Sequence, residues 1–267
     1  MAVDPQPFLL LMVRLCGAGI LIQSLEVLWN WRELRRDRLL GWRPSALAGP
    51  VRRLSDWLHG YPACACLLVA RAILAAAGIG WAGDRNAAFG IVGAMVVLQL
   101  YYNRRFLAIA GNCETLFLVC LVAVMAGASP GASLRLKSAA LGFVAVHVAL
   151  AYAVAGTDKV RSPAWRNGSR LLQVIRDGSY RLPGLAAHLE NRPGLARALA
   201  WSVVALECLF PVAVFLPNPV FVFFLAGGIC FHATIAILMG LHGFLWAFLA
   251  AYPAVWFVHA LLQTWLR

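Results

Sequence analysis

The stretch SAALGFVAVHVALAYAVAGTDKVRSPAWRNG, Ser138–Gly168, decides the fold. From Ser138 to Thr157 it holds no Asp, Glu, Lys or Arg, and only then do Asp158, Lys159 and Arg161 arrive. About 20 mostly apolar residues cross the hydrocarbon core of a bilayer as a helix. Backbone groups in lipid must pair internally, so the segment reads as a membrane-spanning helix with a charged end.

Working outward, the same pattern recurs along the chain. The expected spans are Phe8–Leu28, Tyr61–Trp81, Ala87–Tyr102, Phe106–Ala126, Ser138–Asp158, Ala198–Leu216, Pro219–Gly240 and Phe244–Leu266. The third is short, and the last two run almost together through MGLHGF. Hydrophobic residues make up 62% of the 267 and charged ones 13%, with mean hydropathy +0.76. Soluble domains carry about a quarter charged residues, so this composition excludes one. The expected class is all-α: a polytopic transmembrane helix bundle of about eight spans, residues 1–267 forming one domain without internal repeats. The opening MAVDPQP lacks a basic region ahead of the first apolar run. That run is therefore expected to be a span, not a cleaved signal.

The net charge of +12 lies mostly between the apolar runs, which argues against a nucleic-acid partner and for contact with headgroups. Arg32, Arg35, Arg36, Arg38, Arg43, Arg52 and Arg53 fill the first connection, and Arg104 and Arg105 the third. The fifth holds Lys159, Arg161, Arg166, Arg170, Arg176, Arg181, Arg192 and Arg197. Basic loops stay cytoplasmic, so the odd connections are expected inside and both termini outside. The connection 158–197 alternates apolar and basic positions broken by Gly and Pro. It is expected to form short interfacial helices between spans 5 and 6.

Chemistry-bearing motifs are few. Cys16, Cys113, Cys120, Cys208 and Cys230 fall in or beside apolar runs as small hydrophobes, and CAC at Cys64–Cys66 is no redox or zinc spacing. No two histidines stand four apart, and no metal site is expected. Ionisable groups inside spans are costly and mark function by default. They are Arg14, Glu26, Arg71, Glu114, His147, Asp158, Lys159, Glu207, His232, His242 and His259.

Tyr152, Gly156 and Lys159 are four and then three apart, on one helix face. Glycine there admits a second backbone or a flat ligand. Desolvation disfavours an ammonium, so Lys159 is a candidate general base. The alternative is a lysine at a helix end with its head in the headgroups, paired with Asp158. Glu207 is either protonated and structural, or pairs with Arg14 or Arg71 across the bundle, or meets a substrate. His232 follows Gly227 and Gly228, which permit close helix contact, and either bonds a neighbouring helix or joins the site.

YAVAGTDKVRSPAWRNGSRL resembles the Tyr-x-x-Ala-Gly-x-x-Lys…Trp-x-x-Gly signature of the HTTM family, membrane proteins related to the transmembrane part of vitamin K-dependent gamma-carboxylase. WSVVALECLFP is similar to that family's Glu-x-x-x-Pro span, and FHATIAILMGLHGFLWAFLAAYP to its His-bearing and Phe-rich spans. Arg14 fits the arginine of its first span. Asn112 and Glu114 in YYNRRFLAIAGNCETLFLVCLVAV stand where Gly and Asp are usual. Asn103-Arg104 stands where the carboxylase has Asn-His. The resemblance runs from about residue 8 to 265.

The resemblance implies a reduced quinone of vitamin K or menaquinone type as cofactor, with Lys159 as its base. In the carboxylase branch oxygen then gives an epoxide and a strong base that deprotonates a peptide glutamate, and CO2 adds. Tyr152, Gly156, Trp165, Gly168, Glu207 and His232 would line or support the quinone or substrate site. Arg14, Asn112 and Glu114 would be structural polar groups within the membrane. The expectation is a multi-pass protein of a bacterial inner or cell membrane acting on a peptide or lipid. The alternative is a non-enzymatic membrane partner or scaffold in maturation or export of a peptide. A transporter is disfavoured by the lack of visibly broken spans.

Overall fold

The computed structural model describes residues 3–35, 40, 49–80, 85–106, 112–177 and 183–265. Arg36, Arg38, Arg43, Arg181 and the 107–111 portion of the fourth expected span lie outside the described residues, as does the side chain of Asn112. Among the described residues the regular structure is helical throughout, with no strand. The chain divides into two compact units, Leu9–Lys137 and Ser138–Arg267 with Met1–Phe8.

The unit Leu9–Lys137 contains α1 (Gln6–Trp29), a 3-10 turn (Trp31–Leu34), α2 (Gly49–His59), α3 (Ala63–Gly80), α4 (Arg85–Arg105) and α5 (Asn112–Ala128). On α1, Leu9, Met12, Val13, Cys16 and Ile20 are buried at three- and four-residue spacing, which gives the helix one inward stripe. Leu68, Ala72 and Ala75 of α3 and Phe117, Cys120 and Leu121 of α5 are buried too, and α4 packs on both α3 and α5.

The other unit holds α6 (Leu134–Arg161), α7 (Pro163–Arg166), α8 (Ser169–Asp177), α9 (Pro183–Glu190), α10 (Pro193–Ala213), α11 (Asn218–Met239) and α12 (His242–Trp265). The connection 158–197 thus contains three short helices. Ile175, Ala186, Leu189 and Ala196 tie α8 and α9 to the start of α10. The near-continuous MGLHGF stretch is split by Gly240, whose φ of 70° is a left-handed cap that a side chain would oppose.

Among the described residues six helices, α1, α3, α6, α10, α11 and α12, are long and apolar enough to cross a membrane. Their outward faces are apolar as well, as Phe143, Val146, Leu150 and Val154 on α6 illustrate. A helix exposing such a face needs lipid around it. α5 has a shorter apolar stretch, Cys113–Ala128, and α4 occupies the third expected span.

Among the described residues two prolines sit inside helices, Pro211 in α10 and Pro253 in α12. Proline has no N–H, so the carbonyl four residues earlier loses its helical partner. In α10 that carbonyl belongs to Glu207.

Candidate functional site

α6 continues through Lys159 to Arg161, and this extra turn brings the lysine against α10. Lys159 Nζ donates to Glu207 Oε1 at 2.8 Å and lies 2.7 Å from Oε2. The lysine side chain is 18% exposed and the glutamate 4%, so the pair sits at the edge of the interior with its carboxylate inward. This replaces both pairings expected from the sequence. Asp158 is exposed, because adjacent helical residues point about 100° apart, and the partner of Glu207 is neither Arg14 nor Arg71.

The other residues of the motif form the same seam. Gly156 faces Glu207 and Cys208, where a Cβ would come within 2.8 Å of the Cys208 nitrogen. Only a residue without a side chain lets the two backbones meet there. One turn deeper, the Tyr152 ring stacks on Phe210 with centroids 4.0 Å apart. Tyr152, Gly156 and Lys159 therefore all meet α10.

Past Arg161 the chain turns back. Ser162 is extended, Pro163 opens α7, and Trp165 lies with its ring centroid 5.1 Å from Lys159 Nζ. Gly168 adopts φ 86°, and a Cβ there would fall 2.8 Å from the Arg197 nitrogen. The turn is pinned on α10 by this contact and by Trp201 Nε1 donating to the Arg166 carbonyl at 3.2 Å. An open pocket of about 520 Å³ results, lined by Ala155, Asp158, Lys159, Ser162, Trp165 and Arg170 among others.

Beneath the ion pair lies a buried phenol–imidazole cluster. The Tyr152 hydroxyl is 3.0 Å from His232 Nε2 and 2.7 Å from the Tyr252 hydroxyl. His232 stacks on Phe248 at 3.9 Å, and its buried Nδ1 has no hydrogen-bond partner among the described residues. The Tyr152 hydroxyl thus bridges the imidazole and the second phenol. Gly228 makes room for the hydroxyls, since a Cβ there would collide with that of Tyr252.

The unit Leu9–Lys137 has its own polar centre. Arg71, 2% exposed, donates to the Ile20 carbonyl (3.2 Å), Ser24 Oγ (2.7 Å), Gln23 Oε1 (3.1 Å) and Gln99 Oε1 (2.7 Å). Its guanidinium carbon lies 4.0 Å from the Tyr102 ring centroid. Glu114 is buried one amide away, accepting from Gln23 Nε2 at 3.2 Å and from the Cys113 thiol at 2.7 Å. Asn103 Nδ2 donates to the Glu114 carbonyl at 3.4 Å. Arg14, expected as a structural polar group within the membrane, is exposed on α1, because its neighbours Met12, Val13 and Cys16 take the inward stripe.

Tyr252, Gln23, Ser24 and Gln99 escape a reading that follows ionisable groups in spans. Their signal is weaker: an uncharged polar side chain within an apolar run. Among the described residues no three His, Cys, Asp or Glu side chains gather to hold a metal. No family model matches the chain, and no curated protein or solved structure matches it significantly.

Proposed function

We propose that the protein is an HTTM-like membrane enzyme that binds a reduced quinone beside Lys159 and uses the Lys159–Glu207 pair to accept a proton from it. The observation that carries this reading is an ion pair, with N···O contacts of 2.7 and 2.8 Å, opening on a pocket walled by Trp165. The residues fit the group. The pocket of about 520 Å³ is within the usual range for small-molecule sites, Trp165 offers a flat face, and Ser162 and Arg170 offer polar contacts.

A reduced quinone supplies an acidic phenolic hydroxyl and, with oxygen, oxidising power. Trp165 holds the ring system by stacking. Lys159 and Glu207 together carry one shared proton, and when it rests on the carboxyl group the amine at Nζ is free to accept another. The seam at Gly156 fixes their geometry, and the Tyr152–His232–Tyr252 cluster braces α6, α11 and α12 beneath it. A peptide or a lipid is the acceptor substrate, and a bacterial cell membrane the setting.

The test is oxygen-dependent epoxide formation from reduced menaquinone or vitamin K by the purified protein in nanodiscs. Wild type should produce epoxide, while a folded Lys159→Met variant should lose at least about 100-fold, the scale of a missing general base. Quenching of Trp165 fluorescence by the quinone, absent in Trp165→Phe, reads binding without turnover. One observation favours a second reading: Glu207 already occupies the Lys159 ammonium, as in a purely structural clamp. A non-enzymatic partner in peptide maturation or export would give no epoxide and would tolerate Lys159→Met with Glu207→Leu.

A further inference from the structure

The elbow between α2 and α3 has no part in the chemistry above. α2 lies outside every expected span, yet it exposes Leu54 at 59% and Trp57 at 67%. It is no loose arm. The Tyr101 hydroxyl donates to the Leu58 carbonyl at 3.0 Å, and Arg105 Nε to the His59 carbonyl at 2.8 Å. Docked in this way on α4, the helix cannot roll to bury Leu54 and Trp57, and among the described residues nothing covers them.

Arginines frame this apolar face. Arg52 is paired with Asp56 at 3.6 Å. Arg53 stands four residues before Trp57 on the same side of the helix, and among the described residues it has no ion-pair or hydrogen-bond partner. Trp57 also lines a hollow of about 360 Å³ with Tyr61, Pro62, Cys66 and Leu67. Tyr61 stacks on Trp31 at 6.0 Å, and the Trp31 ring carries the guanidinium of Arg35 at 5.3 Å.

We propose that the α2–α3 elbow binds an anionic phospholipid. Its phosphate sits at Arg53, and one acyl chain runs past Trp57 into the hollow beside Cys66 and Leu67. Three features select this occupant. Guanidinium groups bond phosphate oxygens in pairs, and Trp and Tyr prefer the headgroup level. An amphipathic helix with basic and aromatic residues lies in the interface. The elbow also joins directly to α3, one of the helices apolar enough to cross the bilayer, so the hollow opens where lipid is present.

The experiment is a titration of delipidated, detergent-solubilised protein with short-chain phosphatidylglycerol, phosphatidylcholine and free glycerol phosphate, read by tryptophan fluorescence. Phosphatidylglycerol should change the emission, and Trp57→Phe should lack that change. Arg53→Gln should weaken phosphatidylglycerol binding about fivefold, the worth of one arginine near an anionic surface. Phosphatidylcholine should bind at least about fivefold more weakly than phosphatidylglycerol. Equal binding of the two lipids, an unaffected Arg53→Gln, or glycerol phosphate matching the lipid would each overturn the proposal. Both substitutions are at exposed positions, so the circular-dichroism melt should not move. A destabilised Arg53→Gln would mean an internal partner and would overturn it too.

Discussion

Gly156 of α6 lies against the peptide joining Glu207 to Cys208, so closely that a Cβ would fall 2.8 Å from both the Cys208 nitrogen and its Sγ. This contact is what allows Lys159, three residues on, to reach Glu207 with an unstretched geometry. The backbone contact and the ion pair therefore stand or fall together.

Gly156→Ala should cost about 1–3 kcal/mol, because the added methyl must push two helices apart. Gly142 is the control, since on the same helix a methyl there would meet nothing within 4 Å. Gly142→Ala should be neutral or stabilising by up to about 1 kcal/mol through helix propensity. Thermal melts in detergent followed by circular dichroism compare them. Equal effects of the two substitutions would mean the seam is not tight.

Removing one member of the ion pair leaves a charge at the edge of the interior without its partner. Lys159→Met and Glu207→Leu should each destabilise by about 3 kcal/mol, and the double variant by clearly less than the sum. A double-mutant cycle measures this coupling. Strict additivity would mean that the two side chains do not interact in the folded protein.

The phenol cluster predicts a rescue. Gly228→Ala should destabilise because its methyl meets the Tyr252 hydroxyl, and it should do so less in a Tyr252→Phe background where that hydroxyl is gone. Tyr152→Phe loses two hydrogen bonds and Tyr252→Phe one. At about 0.6 kcal/mol per bond in a membrane protein, the first should cost about twice the second. Melting temperatures of the four variants decide it.

Arg71→Lys should be nearly as damaging as Arg71→Met, at about 3 kcal/mol or more, despite keeping the charge. A lysine ammonium has three donors and no planar face for Tyr102, whereas the guanidinium reaches four oxygens at once. Chemical unfolding in mixed micelles compares the two. A well-tolerated lysine would mean that charge alone matters at this position.

Apolar length and helical phase carried much of the architecture in the sequence itself. The run from Ser138 shows a helix, and the spacing of Tyr152, Gly156 and Lys159 shows that they share a face. What that face meets is set by the rotation and crossing of α10, which no local pattern encodes. Hence Asp158, next in the chain, looks like the natural partner of Lys159, while Glu207, 48 residues away, takes the role. Arg71 is similar: a buried cation suggests a carboxylate, yet two glutamines, a serine and a backbone carbonyl surround it. Neutral amides and phenols in spans are as ordinary in composition as their neighbours, so Gln23, Gln99 and Tyr252 become visible only once the helices are packed. The amphipathic α2 was hidden among loop arginines for the same reason.

Pro211 gives the Glu207 carboxylate a mechanical setting. It stands four residues beyond Glu207 and removes the hydrogen bond that would stiffen α10 at that level. Helices kink where a proline interrupts the ladder. The gap in the α10 ladder is thus at the height of the Lys159 pair, and a bend there would change the spacing of carboxylate and amine. A flexure of one helix is thereby coupled to the length of one ion pair through a single missing N–H.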